Sequence, residues 1–132
     1  MVRVKDSGMV IAVDFDGTCV EHEFPSVGMD VDGAVDVLRA LNKKGHKLIL
    51  HTMRSGAKLD AALRWFRDRK IELWAVNDNP EQKSWTESRK IYADLYIDDA
   101  ALGCPVMFID GARYPVVNWS KVRTQLEYDK VL

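Results

Sequence analysis

Residues 9–18 read Met-Val-Ile-Ala-Val-Asp-Phe-Asp-Gly-Thr, and this run decides the fold. Its first half, Met9 to Val13, is almost wholly apolar and too short for a useful helix, the pattern of a strand covered on both faces. Its second half turns polar at once, with two acids, a glycine and a hydroxyl. In a parallel sheet, ligands bind at the carboxyl ends of the strands, where such residues would lie.

The same alternation continues downstream. Val31, Val35, Leu38 and Leu41 recur at helical spacing and stop at Lys43-Lys44-Gly45, a basic last turn with a glycine cap. Lys47 to Leu50 reads as a second strand that runs into the polar turn His51-Thr52-Met53-Arg54-Ser55-Gly56. Leu59, Ala62, Leu63 and Phe66 mark one face of a second helix. Leu73 to Val76, Leu95 to Ile97 and Val106 to Ile109 read as strands three to five, and Trp119 to about Tyr128 as a closing helix. Parallel strands need crossovers, so the expected class is α/β: a doubly wound three-layer sandwich with a parallel central sheet of about five strands. No repeat or linker divides residues 1–132, so one domain is expected.

Composition excludes several classes. A hydrophobic share of 47% and a charged share of 30% are those of a globular chain rather than a disordered one. Nineteen basic residues against twenty acidic ones create no field to recruit nucleic acid or an acidic membrane. An anionic ligand must therefore be held locally. Cys19 and Cys104 are too few for a disulfide framework and read as reduced thiols. No targeting segment or membrane span is evident, which makes a cytoplasmic location the default and a membrane partner unexpected. Trp65, Trp74, Trp85 and Trp119 do not cluster in sequence and read as core or half-buried packing rather than base stacking.

The chemistry gathers at the strand ends. Strand one ends at Asp14-Phe15-Asp16-Gly17-Thr18, strand two at Thr52 and strand four at Asp98-Asp99, with Lys90 eight positions before Asp98. Two carboxylates about 4 Å apart repel by roughly 4 kcal/mol at an effective dielectric near 20, so this many acids call for a cation. An oxygen-only ligand set without His or Cys selects magnesium, which retains open positions for a phosphate oxygen. The implied partner is a phosphorylated substrate.

Taken in order, these four motifs resemble those of the haloacid dehalogenase-like (HAD) superfamily of phosphohydrolases, whose signature is Asp-x-Asp-Gly-Thr after the first strand. The resemblance implies that Asp14 attacks phosphorus and that Asp16 serves as general acid and base. It implies that Thr52, with its neighbours Met53 and Arg54, meets the phosphorylated substrate, and that Lys90 neutralises transition-state charge, Lys83 being the alternative. Magnesium would be held by Asp14, the main-chain carbonyl of Asp16 and the pair Asp98 and Asp99. Successive residues leaving a strand point in opposite directions, so one acid of that pair is expected to bind the metal directly and the other to hold a water or Lys90.

Neither the connection from Gly17 to Asp30 nor that from Asp78 to Asp94 is long enough to hold a cap domain. The resemblance is thus to the capless subgroup, whose open sites take bulky substrates, nucleic-acid ends among them, or are closed by a homo-oligomer that admits a small one. The segment Val20 to Gly28, with Glu21, His22, Glu23 and Phe24, either contacts substrate or is a solvated loop. Two rivals remain: a receiver-like phospho-acceptor domain, whose phosphorylated acid would follow a middle strand, and a non-catalytic phosphate-binding domain.

Overall fold

The computed structural model describes residues 8–132. In chain order the elements are β1 (Val10–Val13), α1 (Ala34–Lys43), β2 (Lys47–Leu50), α2 (Gly56–Asp68), β3 (Ala75–Val76), β4 (Leu95–Ile97), β5 (Val106–Met107), β6 (Val116–Val117) and α3 (Trp119–Tyr128). Four strands form a parallel sheet in the order β3-β2-β1-β4. The chain moves outward from β1 through β2 to β3 and then returns to the other side of β1. The order therefore reverses between β1 and β4, and the carboxyl ends at such a reversal are where open α/β sheets bind ligands.

Local sequence explains the helices. Lys44, Gly45 and His46 close α1 with main-chain bonds from Gly45 to Asn42 and from His46 to Leu41, and Gly45 takes the left-handed conformation that this cap needs. Asn118 caps α3, its side chain accepting from the Lys121 N–H. Val37, Leu38 and Leu41 of α1, Ala62, Trp65 and Phe66 of α2 and Trp119, Val122 and Leu126 of α3 join one continuous core. Register sets which sheet residues meet them: Ile11 and Val13 lie level with Leu48 and Leu50 and with Leu95 and Ile97; five of the six belong to that core, and Leu95, partly buried, packs against it.

Two expectations are corrected here. Val106 to Ile109 does not extend the parallel sheet; Val106 and Met107 pair antiparallel with Val117 and Val116 in a separate hairpin. Only residues 98–105 separate β4 from β5. A parallel neighbour needs a crossover of about a dozen residues, whereas a hairpin needs only a turn. The central sheet thus has four strands rather than five. Nor is there an α-helix between β3 and β4, where a sandwich wound on both faces would have one. Residues 77–94 carry only a single 3₁₀ turn, Gln82–Ser84.

That irregular connection is nonetheless fixed. Tyr96, on the sheet face opposite the core, donates to the Ile91 carbonyl at 2.6 Å and accepts from the Ala93 N–H at 3.1 Å. Buried Gln82 donates to the carbonyls of Ser88 and Lys90 and accepts from the Tyr92 N–H, while buried Asn79 donates to the Tyr92 carbonyl. Two amide side chains thus do what a helix ladder would have done. Trp85, expected to pack, is 65% exposed and lies edge-on to Tyr92. His46 ties the residue before β1 to the segment after α3, its Nδ1 accepting from the Met9 N–H and its Nε2 donating to the Val131 carbonyl. The two cysteines are free, as expected. Among the described residues no helix is long and apolar enough to cross a membrane.

Because Gln82 serves three main-chain groups, Gln82→Ala should cost about 1–3 kcal/mol in denaturant unfolding. Amide exchange should accelerate selectively at Tyr92, and unchanged protection there would show that the connection is held by something else.

Candidate functional site

The site lies where the sheet order reverses. Asp14 follows β1 and donates its main-chain N–H to the Ile97 carbonyl of β4, so the two strand ends are locked side by side. One carboxylate oxygen each from Asp14, Asp98 and Asp99 come within 4.8 Å of one another. At that spacing each pair of ionised carboxylates repels by at least about 3 kcal/mol at an effective dielectric near 20. The Asp14 carboxyl is accordingly pushed up from 3.8 to about 8, first by burial, then by the Asp99 side chain, with the charges of Asp98 and Asp99 adding to it. A cluster of three carboxylate oxygen donors suits a hard divalent cation, and both acids of the Asp98-Asp99 pair lie close enough to Asp14 to share one.

Thr18 is the organiser. Its hydroxyl, fully buried, lies 3.0 Å from Asp14 Oδ2 and 3.2 Å from Asp99 Oδ1, and accepts from the Asp99 N–H. The Thr18 carbonyl in turn accepts from the buried Trp119 indole at 2.7 Å. Gly17 adopts φ +81°, and a Cβ there would meet His22 Nε2 at 2.0 Å and Asp99 Oδ2 at 2.7 Å. No side chain fits. His22 itself reaches Asp99 Oδ2 with its Nε2 at 3.1 Å. Cys19, though next to Thr18, is no nucleophile: burial, with the nearby acids, pushes its thiol well above the usual range.

Asp16 faces elsewhere. Arg54 grips it in a bidentate pair, Nε to Oδ2 at 2.8 Å and Nη2 to Oδ1 at 2.7 Å. The same guanidinium donates to the carbonyls of Pro25, Ser26 and Lys58. These five bonds use every donor of a side chain that is itself buried. Arg54, expected to meet substrate, is instead a clamp joining Asp16 to segment 24–26 and to α2. Asp16 is absent from the carboxylate cluster, so only its main-chain carbonyl remains for a cation.

The other expected residues divide. Thr52 emerges from β2 beside β1, with its N–H donating to Asn77 Oδ1 and its hydroxyl accepting from the Arg54 N–H; among the described residues no acceptor takes the hydroxyl proton. Met53 is 98% exposed. Lys90 is exposed, its ammonium 5.9 Å from the Tyr96 ring, and among the described residues no hydrogen bond or ion pair ties it to the three acids. Lys83 is exposed in the 3₁₀ turn. His22 was legible only as a loop histidine, because its partner Asp99 lies 77 residues away. Beyond it, Asp30 anchors segment 20–30: burial alone would raise its carboxyl, but hydrogen bonds from Arg69 and Trp65 hold it below the usual range.

Fold and site define a parallel α/β protein with a half-buried cluster of three carboxylates, able to hold a metal ion, at the reversal of its sheet. A solved structure, that of a conserved protein coded by a locus of Bacteroides thetaiotaomicron, is similar, with 37% identity, a TM-score of 0.76 and 92% of each chain covered. This chain belongs to the same family as that protein. No protein-family model matches the chain, and no curated protein does.

Two outcomes follow. An acid whose carboxyl is raised on folding stabilises fully below its unfolded value near 3.8, and that contribution is lost as pH rises towards 8. In chelator, wild-type stability should therefore fall across this window relative to Asp14→Asn, and magnesium should restore it; parallel pH profiles for the two proteins would refute the raised carboxyl. Arg54→Ala should cost about 3–5 kcal/mol, since it leaves Asp16 without its partner, and should speed amide exchange at Ser26 and Val27.

Proposed function

We propose that this protein is a magnesium-dependent phosphomonoester hydrolase with a capless HAD-type core, acting through an aspartyl-phosphate on Asp14. The observation that carries the reading is the convergence of Asp14, Asp98 and Asp99 around Thr18 at the point where the strand order reverses. The strand-order reversal at β1 and β4 and the order of the motifs support that core. A bound divalent cation would neutralise the phosphoryl oxygens and allow Asp14 to ionise.

In the first step an Asp14 oxygen attacks phosphorus as the bond to the leaving oxygen breaks, and Asp16 gives that oxygen a proton. To do so Asp16 must release one of its two bonds to Arg54, which couples the proton transfer to the position of segment 24–26. In the second step Asp16 takes a proton from water as the water oxygen attacks phosphorus, the bond to Asp14 breaks and inorganic phosphate leaves. The free proton of the Thr52 hydroxyl is available to a phosphoryl oxygen. Lys90, not engaged by any carboxylate among the described residues, is the candidate counter-charge, and Lys83 is its alternative.

With magnesium, the protein should release phosphate from an aryl phosphate over many turnovers, whereas a receiver-like domain would phosphorylate itself once and decay. Asp14→Asn should lower kcat by at least about a thousandfold with circular dichroism unchanged, and Asp16→Asn by about a hundredfold or more. Undiminished turnover by Asp14→Asn would sink the mechanism. Titrating magnesium against Asp98→Asn and Asp99→Asn should show weakened binding in both, and Lys90→Ala against Lys83→Ala decides which lysine serves.

A further inference from the structure

A second feature adjoins the carboxylate cluster. Segment 21–23 and the β5–β6 hairpin enclose a pocket of about 440 Å³. His22 forms part of its wall while bonding Asp99, and Val116 forms another part while its neighbour Val117 donates to the Gly17 carbonyl. The pocket is therefore fastened to the Asp16-Gly17-Thr18 turn on both sides. Its volume lies in the range of small-molecule sites.

Its lining has a definite chemistry. Glu21, Glu23 and Asp110 supply three carboxylates against the single guanidinium of Arg113. Arg113 lies over the Tyr114 ring at 5.5 Å, and Tyr114 lies 5.3 Å from the His22 ring. Carboxylates accept hydrogen bonds from hydroxyl groups, and the two rings offer apolar faces to the C–H side of a saturated ring. The same carboxylates oppose a second phosphate, since like charges brought together are selected against.

We infer that the pocket bounded by His22, Glu23, Asp110 and Tyr114 holds the leaving group, and that this group is neutral and hydroxyl-bearing. The substrate is then the monophosphate of a polyol, a sugar or a similar molecule, rather than a bisphosphate, a nucleoside polyphosphate or a nucleic-acid end. The inference rests on the phosphohydrolase reading above. It narrows the expectation of an open site for bulky substrates, because three carboxylates line the pocket that adjoins the reacting centre.

The test compares kcat/KM for glycerol, ribose and glucose monophosphates with the values for ribose and glucose bisphosphates, using acetyl phosphate as a small reference. At least one monophosphate should exceed its bisphosphate by tenfold or more. The double variant Glu23→Gln, Asp110→Asn should reduce that ratio at least fivefold, and Tyr114→Ala should raise KM for the preferred monophosphate more than it lowers kcat. A ratio near one in the wild type, or one unchanged in the double variant, overturns the assignment. So does turnover of acetyl phosphate with none of the monophosphates cleaved. If acetyl phosphate is not turned over either, the phosphohydrolase reading fails, and the pocket's role falls with it.

Discussion

Three carboxylates that repel one another are held together at the reversal of the sheet, and much of the surrounding structure serves to keep them there. Asp14 and the Asp98-Asp99 pair sit at the ends of neighbouring strands, so the backbone ladder between β1 and β4 sets their separation. Thr18 bridges Asp14 and Asp99 by its hydroxyl, Trp119 holds Thr18 by its carbonyl, and α3 carries Trp119 into the core. Such a centre is unfavourable unless something positive enters it or a proton stays on it. Burial first, and this crowding after it, make Asp14 reluctant to ionise, and the crowding is the reason a divalent cation suits the centre.

The second acid of the motif obeys a different constraint. Asp16 is tied to a buried guanidinium that also holds the carbonyls of Pro25, Ser26 and Lys58. One side chain thereby couples the motif turn, the segment beyond it and the start of α2. Two carboxylates only two positions apart are thus given contrasting surroundings, one crowded by like charge and one paired with opposite charge. Separation of this kind suits groups that are to play different parts in one reaction.

The layers around the sheet show where local pattern is a sufficient guide. Amphipathic spacing located α1 and α2 because burial of one helical face is a local property, and apolar runs located β1, β2 and β4 for the same reason. The strand after residue 105 was visible as apolar, but its partner was not, since pairing depends on the length of chain available to turn back. The cover over the second sheet face escaped detection altogether. Gln82 and Asn79 look like ordinary polar loop residues until their bonds across residues 88–92 are seen.

What the sequence by itself determined is the α/β class and the supply of acids, hydroxyl and glycine at the strand ends, because strand termination and residue chemistry are written locally. Asp14, Thr52, Asp98 and Asp99 were all singled out that way, and of these the structure brings the three acids together; Thr18 lay within the quoted motif without its bridging task being visible. Only the tertiary structure decided that Asp98 and Asp99 both join Asp14, that Arg54 is a clamp rather than a ligand, that His22 meets Asp99 and that Lys90 stands apart. Each of those outcomes turns on a contact between residues far apart in the chain, or on the absence of one. Such contacts are set by strand order, register and the burial of one guanidinium, which no short window of sequence contains.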